Sequence, residues 1–148
     1  MSKQFVYMTA GSAAEAQRIG AALVENRLAA CVNILDGMHS IYRWEGKVQQ
    51  DREVVMIAKT TRDRLPALIE TVTALHSYDC PCIVSVAIDG GHPDFLAWIG
   101  AEVRGIEHWH LTPTGQAADP TRDQLFQKNW NRCRSVRWAP ESVIILGQ

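Results

Sequence analysis

The order of strand-like and helix-like segments is the feature that most constrains the fold of this chain. Runs of apolar, β-branched and aromatic residues predict strands at 5–9, 30–35, 40–48, 53–60 and 83–88. Asp36-Gly37 indicates a turn or a bulge between the second and third runs, and the polar segment 49–51 predicts a chain reversal. Two helical stretches separate these runs and a third follows them. With the second and third runs taken as one interrupted strand, the order is β-α-β-β-α-β plus a C-terminal helix. This order predicts an α+β ferredoxin-like fold, the split βαβ arrangement, with both main helices on one face of an antiparallel sheet.

The helices are predicted from start signals and from apolar residues at helical spacing. Ser12 followed three residues later by Glu15 is a capping box, so the first helix should begin at Ser12. Thr60 or Thr61 is expected to cap the second helix. Residues that would share one face of that helix recur at helical spacing, at Leu65, Leu68, Ile69, Val72, Leu75 and His76. A third helical stretch covers 93–103.

The middle strands are apolar on both faces, which is unusual for a sheet with helices on one side only. Every residue of 54–58 is apolar, and Cys31 and Leu35 project to the side opposite Val32 and Ile34. An open sheet face normally carries polar residues. A large apolar sheet surface therefore predicts a cover, which we expect to be a second copy of the protein. The alternative is that the C-terminal segment folds back over this face.

Composition and charge exclude several classes of protein. The chain has 148 residues, of which 47% are hydrophobic and 21% charged, as expected for a globular domain. Its 15 basic and 16 acidic residues give a net charge of −1, so no global field attracts nucleic acid or an anionic membrane. No apolar stretch approaches the roughly 18 residues that cross a bilayer, and the apolar run 5–8 is too short for a signal-peptide core. Four sparse cysteines favour free thiols in a reducing cytoplasm.

Several short motifs follow one another in an order that is typical of one protein family. They lie at 29–34, at 40–47, at Glu53 with Met56 and Lys59-Thr60, at 76–81 and at 95–98. Together they resemble the CutA family, the divalent-cation tolerance proteins. The fourth motif is similar to the family's His-Pro-Tyr-Glu-x-Pro, with Ser77 and Asp79 in place of the proline and the glutamate. The resemblance implies a cytoplasmic ferredoxin-like subunit of a tight homotrimer, with an architecture similar to PII signalling proteins and a link to tolerance of copper and other divalent metals.

Metal-ligating side chains cluster around the fourth motif, where hard and soft ligands lie within seven positions. The candidate ligands for copper or another divalent metal are His76, Asp79, Cys80 and Cys82, followed by Met8 and Cys31. Met8 stands where some family members place a cysteine, and its thioether still suits Cu(I). Some candidates have a structural alternative: His76 suits the end of a helix, Cys31 the packing of a core, and the Cys80–Cys82 pair a flexible loop without a metal.

A second set of residues is expected at the cleft or interface between subunits. These residues are Tyr42, Trp44, Glu45, Glu53 and Lys59. By the resemblance, Trp44 and Glu45 sit in a long twisted hairpin that grips the neighbouring subunit, and aromatic side chains often anchor interfaces. The other three are expected near the cleft that holds small effectors in PII-like trimers. An ion pair between Lys59 and Glu53 is the alternative, and it is favoured.

The sequence contains no recognisable catalytic motif. Gly-x-Ser-x-Gly, His-Glu-x-x-His and the Gly-rich phosphate loop are all missing from the 148 residues. The first hypothesis, which the resemblance implies, is a non-enzymatic homotrimer that binds copper or another divalent metal and contributes to the metal-ion response. The second is a PII-like signalling or scaffold trimer that binds a small molecule or a protein partner in the inter-subunit cleft. An enzyme of unknown reaction is the third.

The end of the chain is predicted to be an addition to the family's usual length. Residues 1–103 are expected to form the CutA-like ferredoxin-fold domain, and 104–148 an extension docked on the core or on a neighbouring subunit. A helix is predicted over 120–132 and a strand over 143–146. His108 and His110 could form a metal pair, although two loop histidines are more often unrelated. Basic and aromatic residues interleave as in nucleic-acid surfaces, at Lys128, Trp130, Arg132, Arg134, Arg137 and Trp138. Docking on the core is favoured over nucleic-acid binding.

Overall fold

Helices and strands follow one another in the order that the sequence predicts. The computed structural model describes residues 2–104. Its elements are β1 (Lys3–Ala10), α1 (Ala13–Glu25), β2 (Cys31–Trp44), β3 (Lys47–Thr61), α2 (Leu65–Leu75), β4 (Ile83–Ala87) and α3 (Pro93–Glu102). The strands form a four-stranded sheet in the order β2-β3-β1-β4, and every neighbouring pair is antiparallel. This arrangement confirms the α+β ferredoxin-like fold.

The hairpin between β2 and β3 turns earlier in the chain than the sequence predicts. The reversal lies at Glu45 and Gly46, which have φ angles of 49° and 76°, and not at 49–51. A two-residue hairpin loop needs positive φ at its central residues, which Gly46 adopts without strain. The polar run 49–51 instead lies within β3, where both faces of the hairpin are exposed. Its polarity therefore reflects solvent contact and not a turn.

A β-bulge interrupts the pairing of β2 with β3, which selects one of the two alternatives for the Asp36-Gly37 signal. Between Leu35 and Met38 the ladder advances three positions along β2 but only two along β3. Gly37 has a φ of 84°, the left-handed conformation that suits glycine at a bulge. One extra residue reverses the alternation of side chains. Consequently Tyr42 and Trp44 project from the same side of the sheet as Leu35.

The core lies between the two long helices and one face of the sheet. Alternate residues of β1 and β3 face this core and are fully or almost fully buried, as are one side of α1 and the middle of α2. The largest of these side chains are Val6, Met8, Ile19, Leu23, Met56, Leu68 and Val72. On α2 the predicted face is only partly buried, because Ile69 and Leu75 remain exposed.

The start of α1 is confirmed and the start of α2 is not. The Ser12 hydroxyl accepts a hydrogen bond from the backbone N–H of Glu15 at 3.2 Å, as a capping residue should. The predicted threonine cap of α2 is wrong, since the helix follows Arg64 and has no side-chain cap. Thr60 is buried in β3, where its hydroxyl donates to the carbonyl oxygen of Leu28 at 2.6 Å. Thr60 therefore belongs to β3, although the local sequence pattern assigns it to the start of α2.

The third helix packs away from the main core in a small cluster of its own. Ile99 and Val103 are buried there together with Ala30, which leads into β2. None of the helices within residues 2–104 combines the length and the apolar character that a bilayer crossing requires. The predictions made for 105–148 lie outside the described residues: the helix at 120–132, the strand at 143–146, the histidine pair and the basic-aromatic pattern. The division of the chain after 103 therefore stays a prediction.

Candidate functional site

The face of the sheet opposite the helices is apolar and exposed in the single chain. Register places Val84 beside Tyr7 and Val86 beside Phe5 on this side, and Leu35 lies on the same side of β2. Leu35 is 60% exposed, Val84 53% and Val86 61%. On β3, Val55 and Ile57 also project to this side whereas Val54 and Met56 face the core, which confirms the prediction that the middle strands are apolar on both faces. We call this surface the open face.

Two polar residues on the open face contact each other across β2 and β3. The Lys59 ammonium donates a hydrogen bond to the Asn33 side-chain oxygen. In the strand register, Lys59 lies opposite Cys31. Burial raises the pKa of the Cys31 thiol, and the positive charge of Lys59 opposes that rise without cancelling it. The predicted ion pair between Lys59 and Glu53 does not form among the described residues. The two lie six positions apart on β3, and each has a different partner.

Beyond the end of β1, the β2–β3 hairpin continues as a two-stranded arm. The pairing of β3 with β1 ends at Val54, whereas its pairing with β2 continues to Lys47, so we call 38–53 the arm. Trp44 is 59% exposed near its tip. The Tyr42 hydroxyl donates a hydrogen bond to the Asp51 carboxylate. That hydrogen bond, with the nearby negative charges, raises the pKa of Tyr42 to about 12.

The predicted interface residues lie along one continuous surface. Tyr42, Trp44, Glu53 and Lys59 all project from the side of the open face, and Glu45 occupies the turn at the tip of the arm. The bulge is what brings the two aromatic residues to this side. The structure therefore places on one surface the residues that the sequence could only assign to the cleft or interface in general.

His76 lies in a buried corner where α2, β1 and α1 meet. Its side chain is 1% exposed. Its Nε2 lies 2.8 Å from the Thr9 carbonyl oxygen, and its Nδ1 accepts from the Tyr78 backbone N–H at 3.0 Å. Because a carbonyl can only accept, these partners place the ring hydrogen on Nε2. Both ring nitrogens thus have protein partners, and a metal ion at His76 would have to displace one of them.

Glu15 closes the same corner from the start of α1. Its Oε1 accepts hydrogen bonds from the Ser77 backbone N–H at 3.2 Å and from the Ser77 hydroxyl at 3.0 Å, and lies 3.3 Å from His76 Nδ1. Burial acts to raise the pKa of Glu15, but the Ser77 hydrogen bonds, with His76 and Arg18, outweigh it and lower that pKa. A proline at 77 could make neither hydrogen bond, since it has no N–H and no hydroxyl.

Tyr78 links the His76 corner to the arm. Its hydroxyl donates to the Glu53 carboxylate at 3.4 Å, and its ring lies 4.7 Å from the His76 ring. Burial, followed by the charge of Glu53, raises the pKa of Tyr78. Gly11 leaves room for this side chain, because a Cβ at that position would lie 3.2 Å from the Tyr78 hydroxyl.

The six predicted metal ligands are not brought together within one described site. Met8 is fully buried in the core, and Cys31 lies on β2 beside Lys59. Cys80 and Cys82 are free and exposed between α2 and β4. Within residues 2–104, no group of three His, Cys, Asp or Glu side chains is arranged to hold a metal ion. Metal binding and the identity of its ligands stay predictions.

Comparison with known proteins decides the family. The family model described as CutA1 divalent ion tolerance protein matches residues 4–102. The chain belongs to the CutA1 family. It is 46% identical over 97 residues to the divalent-cation tolerance protein CutA of Thermus thermophilus, an alignment that covers 66% of this chain and 94% of the relative. The match excludes the extension that the sequence predicts after residue 103.

Two further relatives carry names from other cellular compartments, and one of them is a solved structure. The chain is 41% identical over 99 residues to the rice protein named CutA 1, chloroplastic, covering 67% of this chain and 56% of the relative. The structure of the periplasmic divalent cation tolerance protein CutA from Archaeoglobus fulgidus matches with a TM-score of 0.67 and 42% identity. That match covers 69% of this chain and 99% of the other. CutA1 relatives thus carry names from more than one compartment.

Sequence reasoning misses the partners that fix the His76 corner. Local patterns assign Glu15 to the capping of α1 and Thr9 to a strand, so they connect neither residue with His76. The Glu15–Ser77 contact joins residues 62 positions apart, which no local pattern reveals. The one available signal is the replacement of the motif's proline by Ser77, which adds two hydrogen-bonding groups beside a buried histidine.

Proposed function

We propose that this CutA1 protein is a non-enzymatic homotrimer that binds copper or another divalent metal and contributes to metal-ion tolerance in the cytoplasm. The exposed apolar open face carries the self-association part of the proposal. Fully burying a valine or leucine side chain contributes about 1.5–3 kcal/mol, so covering the exposed half of such a residue contributes roughly 1 kcal/mol. Leu35, Val84 and Val86 all offer this gain in every subunit.

The arm supports the same proposal independently of the open face. An isolated two-stranded hairpin is marginally stable in water, yet β2 and β3 remain paired as far as Trp44 and Lys47. Tyr42 and Trp44 extend the open face along the arm, where a neighbouring subunit could pack against both surfaces. Membership of the CutA1 family suggests a three-fold assembly. In a closed ring of three subunits, every copy of the contact surface is covered by a neighbour.

Metal binding is supported by the family and by the donor types that remain accessible. The names of the relatives link them to divalent cations. In this chain, Asp79, Cys80 and Cys82 offer a carboxylate and two thiols in the segment between α2 and β4. Free thiols also fit the proposed cytoplasmic location, because a reducing compartment keeps cysteines unpaired.

A second candidate is a PII-like sensor or scaffold with a ligand in the inter-subunit cleft. The observation that favours it is the polar group at the base of the arm, where the two tyrosine hydroxyls donate to carboxylates: Tyr42 to Asp51 and Tyr78 to Glu53. These groups lie on the side of the open face, beside the surface that a second subunit would cover. A small molecule or a peptide with several hydrogen-bond donors would suit them.

Sedimentation of the full-length protein tests the assembly. We expect a mass three times the 16.5 kDa of one chain. A Val84→Asp, Val86→Asp variant should sediment as a single chain, because a trimer would have to bury two charges in every subunit. Val24→Asp, which changes an exposed valine on α1, is the matched control and should remain trimeric. A wild-type protein that sediments as one well-behaved chain would refute the proposal.

Calorimetry with copper and zinc ions tests the metal part separately. We expect a saturable heat with the full-length protein in at least one of these titrations. Measuring the growth of cells that lack the protein, in rising copper concentrations, connects binding to tolerance. If neither ion gives a saturable heat and growth is unchanged, the metal-binding function is wrong and the cleft hypothesis becomes the better one.

A further inference from the structure

Two exposed thiols stand one residue apart in the segment that joins α2 to β4. Cys80 and Cys82 flank Pro81, and both are free and exposed. The third cysteine among residues 2–104, Cys31, lies on β2, which is an edge strand of the sheet at the opposite side from β4. Of the three thiols in the described part of the chain, these two lie together in one short segment.

The local backbone keeps both thiols in one short segment before β4. Pro81 fixes its own φ, and it disfavours a helical conformation at the residue before it. The chain then enters β4 at Ile83, immediately after Cys82. Residues 77–80 form a bend, so Cys80 ends the bend and Cys82 immediately precedes the strand. The Cys80-Pro81-Cys82 sequence therefore holds the two thiols within one short exposed segment.

The surroundings of this pair are negatively charged. Asp79 precedes Cys80, and Glu53 on the neighbouring open face is close enough to act on the Cys82 thiol. Negative charges attract a cation, so these surroundings suit a bound metal ion.

Two of the other candidate donors, Met8 and His76, are engaged elsewhere. The Met8 thioether is fully buried among apolar side chains. Both nitrogens of His76 have protein partners at 3.0 Å or less. A site that used the His76 imidazole would need His76 to leave its corner, whereas two thiolates suffice for a soft monovalent ion. Thiolates select Cu(I) over hard divalent ions.

We propose that Cys80 and Cys82 together bind Cu(I) as a pair of thiolates. This inference rests on the proposed metal-binding function and specifies its ligands and its oxidation state. Each thiol releases one proton to solvent, two sulfur–copper bonds form, and copper remains Cu(I) throughout. The protein is neither oxidised nor reduced, and the ion arrives already reduced.

A competition titration of the full-length protein tests the site. Cu(I) is distributed anaerobically between the protein and a chromophoric Cu(I) chelator, and thiolate-to-copper charge-transfer absorption is recorded in the ultraviolet. We expect Cys80→Ser and Cys82→Ser each to weaken Cu(I) binding at least about tenfold, which corresponds to about 1.4 kcal/mol. The charge-transfer band should be lost in the double variant. Cys133→Ser is the matched control and should bind as the wild type does.

The outcomes separate this site from the broader function. If the wild type binds Cu(I) and neither Cys80→Ser nor Cys82→Ser weakens it, the site is wrong while metal binding stands. The site is equally wrong if Cys133→Ser loses as much affinity, or if only Cu(II) or zinc binds. If no metal ion binds at all, the site and the metal-binding function fail together. Circular dichroism and sedimentation of each serine variant show whether a loss of binding reflects unfolding.

Discussion

Replacement of Glu15 by glutamine should destabilise the fold at neutral pH and do so less in acid. The carboxylate accepts two hydrogen bonds from Ser77 and lies beside His76. Hydrogen bonds to a charged group contribute about 1.5–3 kcal/mol each, against about 0.5–1.5 for neutral ones. Glutamine keeps an acceptor oxygen but not the charge. We therefore expect a loss of about 1–2 kcal/mol in the free energy of unfolding at pH 7.

The pH dependence follows from the lowered pKa of Glu15 in the folded protein. A group with a lowered pKa stabilises the fold above its ordinary value of 4.5, and this stabilisation is lost as the pH falls through the lowered value. The difference between wild type and Glu15→Gln should thus be full at pH 7 and shrink below pH 4.5. Below the lowered pKa it should vanish, apart from any difference between the neutral acid and the amide.

Urea unfolding at a fixed protein concentration, measured at pH 7 and at several acidic values, checks both statements. Concentration is held constant because association adds to apparent stability. Glu25→Gln is the control, since Glu25 ends the same helix on the exposed side and should change stability by less than about 0.5 kcal/mol. A Glu15→Gln variant as stable as the wild type at pH 7, or a deficit that does not shrink in acid, would refute the reasoning.

Three further predictions concern the corner, the arm and the bulge. Ser77→Ala should cost about 1 kcal/mol in urea unfolding and should cost less in a Glu15→Gln background, because the two changes remove one interaction. Asp51→Asn should bring the pKa of Tyr42 down from about 12, as ultraviolet titration of the phenol against a Tyr42→Phe control would show. Deletion of Gly37 should turn the far part of the arm over, so that the fluorescence of Trp44 changes and trimers are lost; an unaltered oligomer would contradict the assigned register.

The sequence is sufficient to predict the order of the helices and strands, because each of them shows its own hydrophobic periodicity. Ser12 and the apolar spacing after it define α1 from residues that are neighbours along the chain. The arm lacks such a signal, since both of its faces meet solvent and no buried side fixes the alternation. The polar run 49–51 therefore has the composition of a turn although it lies in a strand. The predicted cap of α2 fails for a related reason, because Thr60 contacts Leu28, a residue that local patterns do not connect with it.

The candidate site is predictable as a region and not as a set of contacts. The fourth motif directs attention to His76, Asp79, Cys80 and Cys82, but it does not show that the histidine is buried with both nitrogens engaged. That outcome depends on Thr9 and Glu15, which approach from other elements. A sequence shows which types of metal ligand are present. Tertiary packing decides which other residues form hydrogen bonds with the same ligand atoms.

One inserted residue connects the fold of a single chain with its proposed assembly. Upstream of the bulge the open face uses odd-numbered positions of β2, as at Leu35, and downstream it uses even-numbered ones, as at Tyr42 and Trp44. The Asp36 carboxylate accepts from the Gly37 N–H at 2.6 Å, and Gly37 supplies the positive φ. This dipeptide therefore governs which side of the arm the aromatic residues occupy. A change there should act on association without altering any residue of the surface that associates.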